Sequence, residues 1–235
     1  MSENFSRTKL LIGENALQKL ENSSVIVFGI GGVGGYVVEA LARSGVGSID
    51  IVDNDKIAPS NLNRQIVALN STLGQNKVDV AESRMLDINP NLKIKKFQVF
   101  YTEETKDIFD FSKYDYIIDA IDTVKSKISL IEQSKKHNIP IICSMGAGNK
   151  LDPTAFKVSD ISKTTVCPLA KAIRLELKKR NIKDVKVVYS TETPIKPKEI
   201  IIEDSKKRQT PSSIAFVPSV AGLIIAGEVI KDLIK

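Results

Sequence analysis

The chain has little of what usually builds a metal or redox centre: two cysteines, one histidine and no tryptophan in 235 residues. Cys143 and Cys167 cannot make the four-thiolate clamp of a structural zinc site, nor a disulfide framework. His137 alone leaves no multi-histidine metal site, and within Lys135-Lys136-His137-Asn138 it reads as a solvated helix end. Long apolar runs are missing as well. Met1 to Lys9 is polar, and no apolar stretch of the kind that directs secretion follows it. The longest uncharged stretch, Gln209 to Gly227, is interrupted by Pro211, Ser212, Ser213, Pro218, Ser219 and Gly222. A bilayer-spanning helix wants about 20 mostly apolar residues, so Pro218 to Ile234 reads as a buried C-terminal helix. The expected compartment is the cytoplasm, with no stable membrane insertion.

What is present is the composition of a folded chain, 42% hydrophobic and 26% charged. At this length one domain with two parts is expected. The formal net charge of +6 is unevenly placed. From Lys163 to Lys235 there are 15 Lys or Arg against 8 Asp or Glu, which leaves 19 against 20 for the rest. All the positive excess is in the last third, and Lys178, Lys179, Arg180, Lys183, Lys206, Lys207 and Arg208 supply most of it. A basic face on an otherwise neutral chain suits a polyanion such as RNA.

Short apolar runs alternate with helical patterns. Val25 to Phe28, Ile49 to Val52, Ile94 to Val99, Tyr116 to Ala120 and Ile139 to Cys143 read as strands. Val33 to Ser44, Thr72 to Ile88 and Lys125 to His137 carry apolar residues at helical spacing. That alternation predicts an α/β fold with a Rossmann-like, doubly wound, mostly parallel sheet. Beyond Ser144 the pattern changes to a loop at Gly146 to Asn149, strands at Thr154 to Val158 and Val185 to Ser190, and a helix at Pro168 to Arg180, a C-terminal mixed-strand extension. Lys196 to Ser213 mixes Pro, Lys, Glu and Ser without period and reads as a crossover loop. The division expected is a nucleotide-binding half, residues 1–145, and a basic, substrate-facing half, residues 146–235.

Gly29-Ile30-Gly31-Gly32-Val33-Gly34 follows a strand and opens a helix, the context in which G-x-G-x-x-G cradles phosphates on backbone N–H groups. Asp53 follows Gly34 by 19 residues, at the end of the second strand, where a carboxylate grips ribose hydroxyls. That spacing suits NAD equally. What favours a triphosphate is the set that follows: Asp53-Asn54-Asp55, Asn61-Leu62-Asn63-Arg64-Gln65, Lys77 and Asp119-Ala120-Ile121-Asp122. Arg64 and Lys77 suit a third phosphate, and Asp122 at a strand end suits Mg²⁺.

Taken in order, these motifs resemble the ubiquitin-activating-type adenylating family, which includes the ThiF and MoeB proteins. Phe5-Ser6-Arg7-Thr8, Ala40 to Gly45, Asp119 to Thr123, Ser144 to Pro153 and Cys167-Pro168-Leu169-Ala170 are similar to its branch that dehydrates threonylcarbamoyladenosine in tRNA. The resemblance implies ATP as substrate, with Gly29, Gly31 and Gly34 at the nucleotide loop, Asp53 on the ribose, Asp55 among the nucleotide-binding residues, Asn61, Arg64 and Lys77 facing the phosphates, and Asp122 holding Mg²⁺. It implies a homodimer in which Arg7 reaches the neighbouring subunit's ATP site. The paired C-x-x-C zinc ligands of the sulfur-carrier activators are missing, which favours the dehydratase branch over adenylation of a carrier-protein C-terminus.

The implied chemistry is transfer of AMP to the threonine carboxylate and ring closure by the tethered carbamoyl group, which makes the second step effectively unimolecular. Cys167 precedes Pro168 at a predicted helix start, where the dipole, Lys163 and Lys171 favour a thiolate, so it joins the catalytic candidates beside Arg7, Arg64 and Lys77. Cys143, inside an apolar strand, reads as structural. A cysteine desulfurase or other sulfur-acceptor partner, and a sodium or potassium ion on the carbonyls of Gly146 to Asn149, are the further ligands considered. The alternatives are an NAD-dependent oxidoreductase and a nucleotide-regulated sulfur-acceptor scaffold.

Overall fold

The computed structural model describes residues 3–196 and 211–235. Two short helices open the chain, α1 (Ser6–Ile12) and α2 (Glu14–Asn22). The sequence reading did not include them: none of the residues of α1 is buried, with Leu10 and Leu11 each 86% exposed, and the short α2 buries only Leu17 and Leu20. The α/β alternation then follows as β1 (Ser24–Phe28), α3 (Gly34–Ser44), β2 (Ser48–Val52), α4 (Lys77–Ile88), β3 (Lys96–Phe97), β4 (Tyr116–Asp119), α5 (Val124–His137) and β5 (Ile141–Ser144). The second part adds β6 (Phe156–Asp160), α6 (Pro168–Lys179), β7 (Lys186–Ser190) and α7 (Phe216–Leu233).

The strands form one seven-stranded sheet in the order β3-β2-β1-β4-β5-β7-β6. Every neighbouring pair is parallel except β6 with β7, the mixed extension expected from the sequence. The central strands are apolar on both faces because both faces are covered. Along β1, Val25 and Val27 join the core beneath α3, α4 and α7, whereas Ile26 and Phe28 join the core beneath α5 and α6.

Most boundaries shift by one or two residues from the sequence reading, and two differences have a local cause. The strand expected over 94–99 pairs as a ladder only at Lys96–Phe97, but its carbonyls at Lys93, Lys95 and Phe97 still accept from Ile49, Ile51 and Asp53, so the chain runs alongside β2. The helix expected from Thr72 begins at Lys77, because Asn70–Thr72 forms a separate 3₁₀ turn and Gly74 takes a left-handed φ of 79°. At the C-terminus, α7 buries Val217, Ala221, Ile225 and Val229, and no helix among the described residues is long and apolar enough to cross a membrane.

Candidate active site

The strand order reverses between β1 and β4, and the crevice outside the carboxyl ends of the strands there is where doubly wound sheets bind ligands. A cavity of about 430 Å³ lies at this point. Its floor is the glycine turn. Gly29 has φ +90°, and a Cβ there would stand 2.8 Å from the Ala120 carbonyl oxygen. A Cβ on Gly34 would stand 1.7 Å from the Gly29 carbonyl oxygen, so α3 starts this close to β1 only with glycine. Gly31 differs, since a Cβ there would meet nothing within 4 Å. The first and last glycines fit the backbone to itself, and the middle one faces the open cavity. The amino end of α3, the positive end of its dipole, closes this side.

Asp53 follows β2 and spends both carboxylate oxygens on backbone: Oδ2 accepts from the Ile30 N–H at 2.6 Å and Oδ1 from the Asp55 N–H at 2.8 Å. Burial pushes its carboxyl above the ordinary aspartate value, against the opposing pull of Lys77 and the two N–H donors. Lys77, first residue of α4, is buried and its Nζ donates to Asp55 Oδ2 at 2.8 Å. Asn61 is buried, with its Oδ1 accepting from the Ala58 N–H at 3.1 Å. Arg64 Nη1 donates to the Ser60 carbonyl at 2.7 Å and to Asn63 Oδ1 at 2.9 Å, which leaves the rest of its guanidinium fork available.

The opposite side is built from the end of β4. Asp119 is fully buried and paired with Lys127 Nζ at 2.8 Å; that ammonium also donates to the Ser144 carbonyl at 2.7 Å. Asp119 Oδ1 accepts from the Ile121 N–H at 3.1 Å, so this carboxylate sets the turn that carries Asp122. Asp122 itself is exposed at the cavity, and among the described residues its carboxylate meets only the Thr123 hydroxyl at 3.3 Å. Val52, Val99, Phe100 and Ile121 supply apolar wall, with a shape and polarity that suit a base ring.

Gly29, Gly31, Asp53, Asp55, Asn61, Arg64, Lys77 and Asp122 therefore line one cavity. Sequence reasoning missed Gln65, whose buried Oε1 has no hydrogen-bond partner among the described residues, although it stood in the quoted motif. It also missed Phe100, for which an aromatic pair just past a strand was the signal, and Lys127, whose regular helical spacing carried none.

Three candidates stand elsewhere. Gly34 lies beneath the floor. Arg7 is exposed on α1 and is not among the cavity residues of its own chain. Cys167 caps α6 with 2% exposure inside the core beneath α5 and α6, and Cys143 is fully buried beside Asp119, where burial pushes its thiol well up. Of the basic third, Lys178, Lys179, Arg180 and Lys183 are exposed in the last turn of α6 and just past it, next to the amino end of β7 and thus at the far end of the sheet from the cavity. Arg180 and Lys179 there pair with Glu176, and Arg180 also with Glu132. Lys206, Lys207 and Arg208 lie outside the described residues.

A glycine turn at a helix start, a carboxylate at the end of β2, two cations and an exposed carboxylate around one cavity have the composition expected of a nucleotide-binding site of the adenylating kind. The model of the ThiF family matches residues 5–235, and the chain belongs to that family. It is 49% identical to the tRNA threonylcarbamoyladenosine dehydratase of Bacillus subtilis over 100% of this chain and 96% of that one. The crystal structure of Escherichia coli tRNA N6-threonylcarbamoyladenosine dehydratase in complex with ATP superposes with a TM-score of 0.90 at 33% identity, over 98% of this chain and 93% of that chain. The same enzyme in complex with AMP gives 0.89 at the same identity, over 98% and 94%.

Proposed function

We propose that this protein is an ATP-dependent tRNA threonylcarbamoyladenosine dehydratase, which adenylates the threonine carboxylate of the modified adenosine and lets it cyclise. The observation that carries this reading is the joint presence of Arg64, Lys77 and Asp122 in one cavity of a chain 49% identical, end to end, to a dehydratase.

A carboxylate is a poor electrophile. One of its oxygens attacks the α-phosphorus of ATP, the bond to the β-phosphate oxygen breaks, and pyrophosphate leaves. Arg64 and Lys77 stabilise charge gathering on the departing phosphates, a task for fixed cations in a partly closed site. The tethered carbamoyl group then attacks the acyl carbon, loses a proton, and expels AMP carrying the former carboxylate oxygen. The net change is loss of one water. Asp53 holds the nucleotide loop through the Ile30 N–H, and its position at the end of β2 suits the ribose hydroxyls.

Mg²⁺ fits the donor set, because it is held through one or two carboxylates plus phosphates, and Asp122 is the carboxylate with oxygens to spare. When bound it supplies charge neutralisation of the phosphates. The carbonyl of Asn149 already accepts from Ile195, which leaves fewer loop oxygens for a sodium or potassium ion.

The protein acts as a homodimer in the cytoplasm. Support comes from α1, whose Leu10 and Leu11 are left bare beside Arg7. An inactive Arg7→Ala chain mixed with an inactive Asp122→Ala chain should then regain part of the activity, and a protein that stays monomeric at assay concentration removes the idea. Cys167 is assigned no chemistry here, since ring closure needs no thioester and the thiol is buried. Sulfur handover from a desulfurase has no support from an accessible cysteine among the described residues.

Mass spectrometry of tRNA nucleosides after incubation with ATP tests the function: threonylcarbamoyladenosine should lose the mass of one water. Pyrophosphate release with a carrier-protein C-terminus but not with modified tRNA would instead establish a carrier activator.

A further inference from the structure

Asn63 lies in the Asn61 to Gln65 motif and Asn149 in the Gly146 to Asn149 loop. They meet the same short segment from opposite sides. Pro211 and Ser213 line the nucleotide cavity together with Arg64 and Gly148. Asn63 Nδ2 donates to the Ser213 carbonyl at 3.0 Å, while its Oδ1 accepts from Arg64 Nη1 at 2.9 Å. On the other side, Asn149 Oδ1 accepts from both the N–H and the hydroxyl of Ser212, each at 2.8 Å. The Asn149 N–H donates to the Ser212 carbonyl at 2.7 Å. Asn149 does this at φ 59°, a left-handed conformation that asparagine tolerates better than most residues. The fit beneath is close, since a Cβ on Gly148 would stand 2.7 Å from Pro211 Cβ.

We propose that Asn63 and Asn149 are positioning residues, a two-sided clamp that fixes residues 211–213 as a wall of the cavity, so that the activated carboxylate is consumed by ring closure and not by water. The proposal rests on the adenylation reading above. An acyl adenylate is open to hydrolysis, which wastes one ATP and returns the starting carboxylate, so an enzyme that makes one needs its site closed against solvent. Exposed loop segments stay in place only through such hydrogen bonds, because they bury little apolar surface. Asn63 also links the wall to Arg64, so the wall and a proposed phosphate contact move together.

The test measures AMP released per dehydrated nucleoside formed, with ATP and threonylcarbamoylated tRNA. Wild type should give a ratio near one. Asn149→Gly keeps the left-handed backbone and removes only the side-chain bonds, and its ratio should rise about three- to tenfold. Asn149→Asp keeps a carboxylate acceptor for both Ser212 donors and should stay within about twofold of wild type. Asn63→Ala should leak like Asn149→Gly and also raise the KM for ATP, because Arg64 loses a partner; Asn63 is exposed, so folding is not at stake. An unchanged ratio in Asn149→Gly, or an Asn149→Asp protein that leaks as much, overturns the clamp. A wild type that forms no dehydrated nucleoside overturns the functional reading instead.

Discussion

The two ends of the sheet treat polar groups in opposite ways. At the amino ends, Asp232 of α7 takes Tyr116, Lys186 and Lys235, and Asp115 takes the Ser24 N–H. At the carboxyl ends, among the described residues, Asp122 is nearly bare, Arg64 has donors to spare, Gln65 keeps an unpartnered buried oxygen, and Gly31 faces open space. One end has its hydrogen-bonding capacity used up by the fold, and the other holds capacity in reserve. Since buried polar groups are nearly always satisfied, unspent capacity gathered in one crevice marks the place where a polar ligand completes the structure.

The sharpest break in that comparison is within the glycine turn. Gly34→Ala puts a methyl group 1.7 Å from a backbone carbonyl that cannot swing aside, and should destabilise the fold by more than about 3 kcal/mol or prevent folding. Gly31→Ala meets no neighbour, so its melting temperature should stay near wild type while ATP affinity falls at least tenfold, roughly 1.4 kcal/mol. Thermal melts with and without ATP distinguish the two. Equal melting temperatures for both variants would show that the turn is not packed as described.

Lys127 tests the boundary between the ends. Lys127→Met strands the buried charge of Asp119 and should cost about 3–5 kcal/mol in urea denaturation. Asp119→Asn added to it removes that charge yet keeps an acceptor for the Ile121 N–H, and should recover much of the loss. Should the double variant be no more stable than the single, the stranded charge is not the cause.

Lys77 looks alike on paper but should behave differently. Its partner Asp55 has a side chain 58% exposed, so Lys77→Ala leaves that carboxylate open to water, while buried Asp53 keeps its two N–H donors, and the stability loss should stay below about 1 kcal/mol. Pyrophosphate release is the quantity that should suffer, by about 1.5–3 kcal/mol of transition-state stabilisation for Lys77→Ala and likewise for Arg64→Ala. Unaltered release would take both residues out of the proposed mechanism.

Much of this division was legible in the sequence. The parallel sheet showed because β1, β2, β4 and β5 are buried on both faces and so are mostly apolar, with Asp50 and Asp119 the buried carboxylates among them. The cavity residues showed because their motifs are local: each pairs a strand end with a short loop. What stayed hidden depends on long-range contact. Lys127 reads as an ordinary helical lysine until α5 lies on β4, and Asn149 acquires a partner only when Ser212, 63 residues later, returns to it. Helix α1 stayed hidden for another reason, since Leu10 and Leu11 find nothing to cover them within the described residues of one chain. The basic excess was visible as a count, but the sheet sends Lys178 to Lys183 to its far end.

The smallest effect belongs to the amino end and carries a pH signature. Burial alone would raise the carboxyl of Asp232, but hydrogen bonds from Lys186, Lys235 and Tyr116 outweigh it and hold the value at about 2, below the ordinary aspartate range. The folded value lies below the unfolded one, so the ionised group stabilises the fold above about pH 4, and that stabilisation disappears as pH falls toward 2. The shift alone would correspond to about 2 kcal/mol, and solvent screening at this partly exposed site brings the expected effect nearer 1 kcal/mol. Asp232→Asn should therefore be less stable than wild type by about 1 kcal/mol at pH 7, and the gap should narrow steadily below pH 4. ATP affinity should not change, because the network sits at the end of the sheet away from the cavity. Urea denaturation at pH 7, 4 and 3 measures the gap; a difference that stays constant with pH would assign the loss to packing of α7 and not to the charge of Asp232.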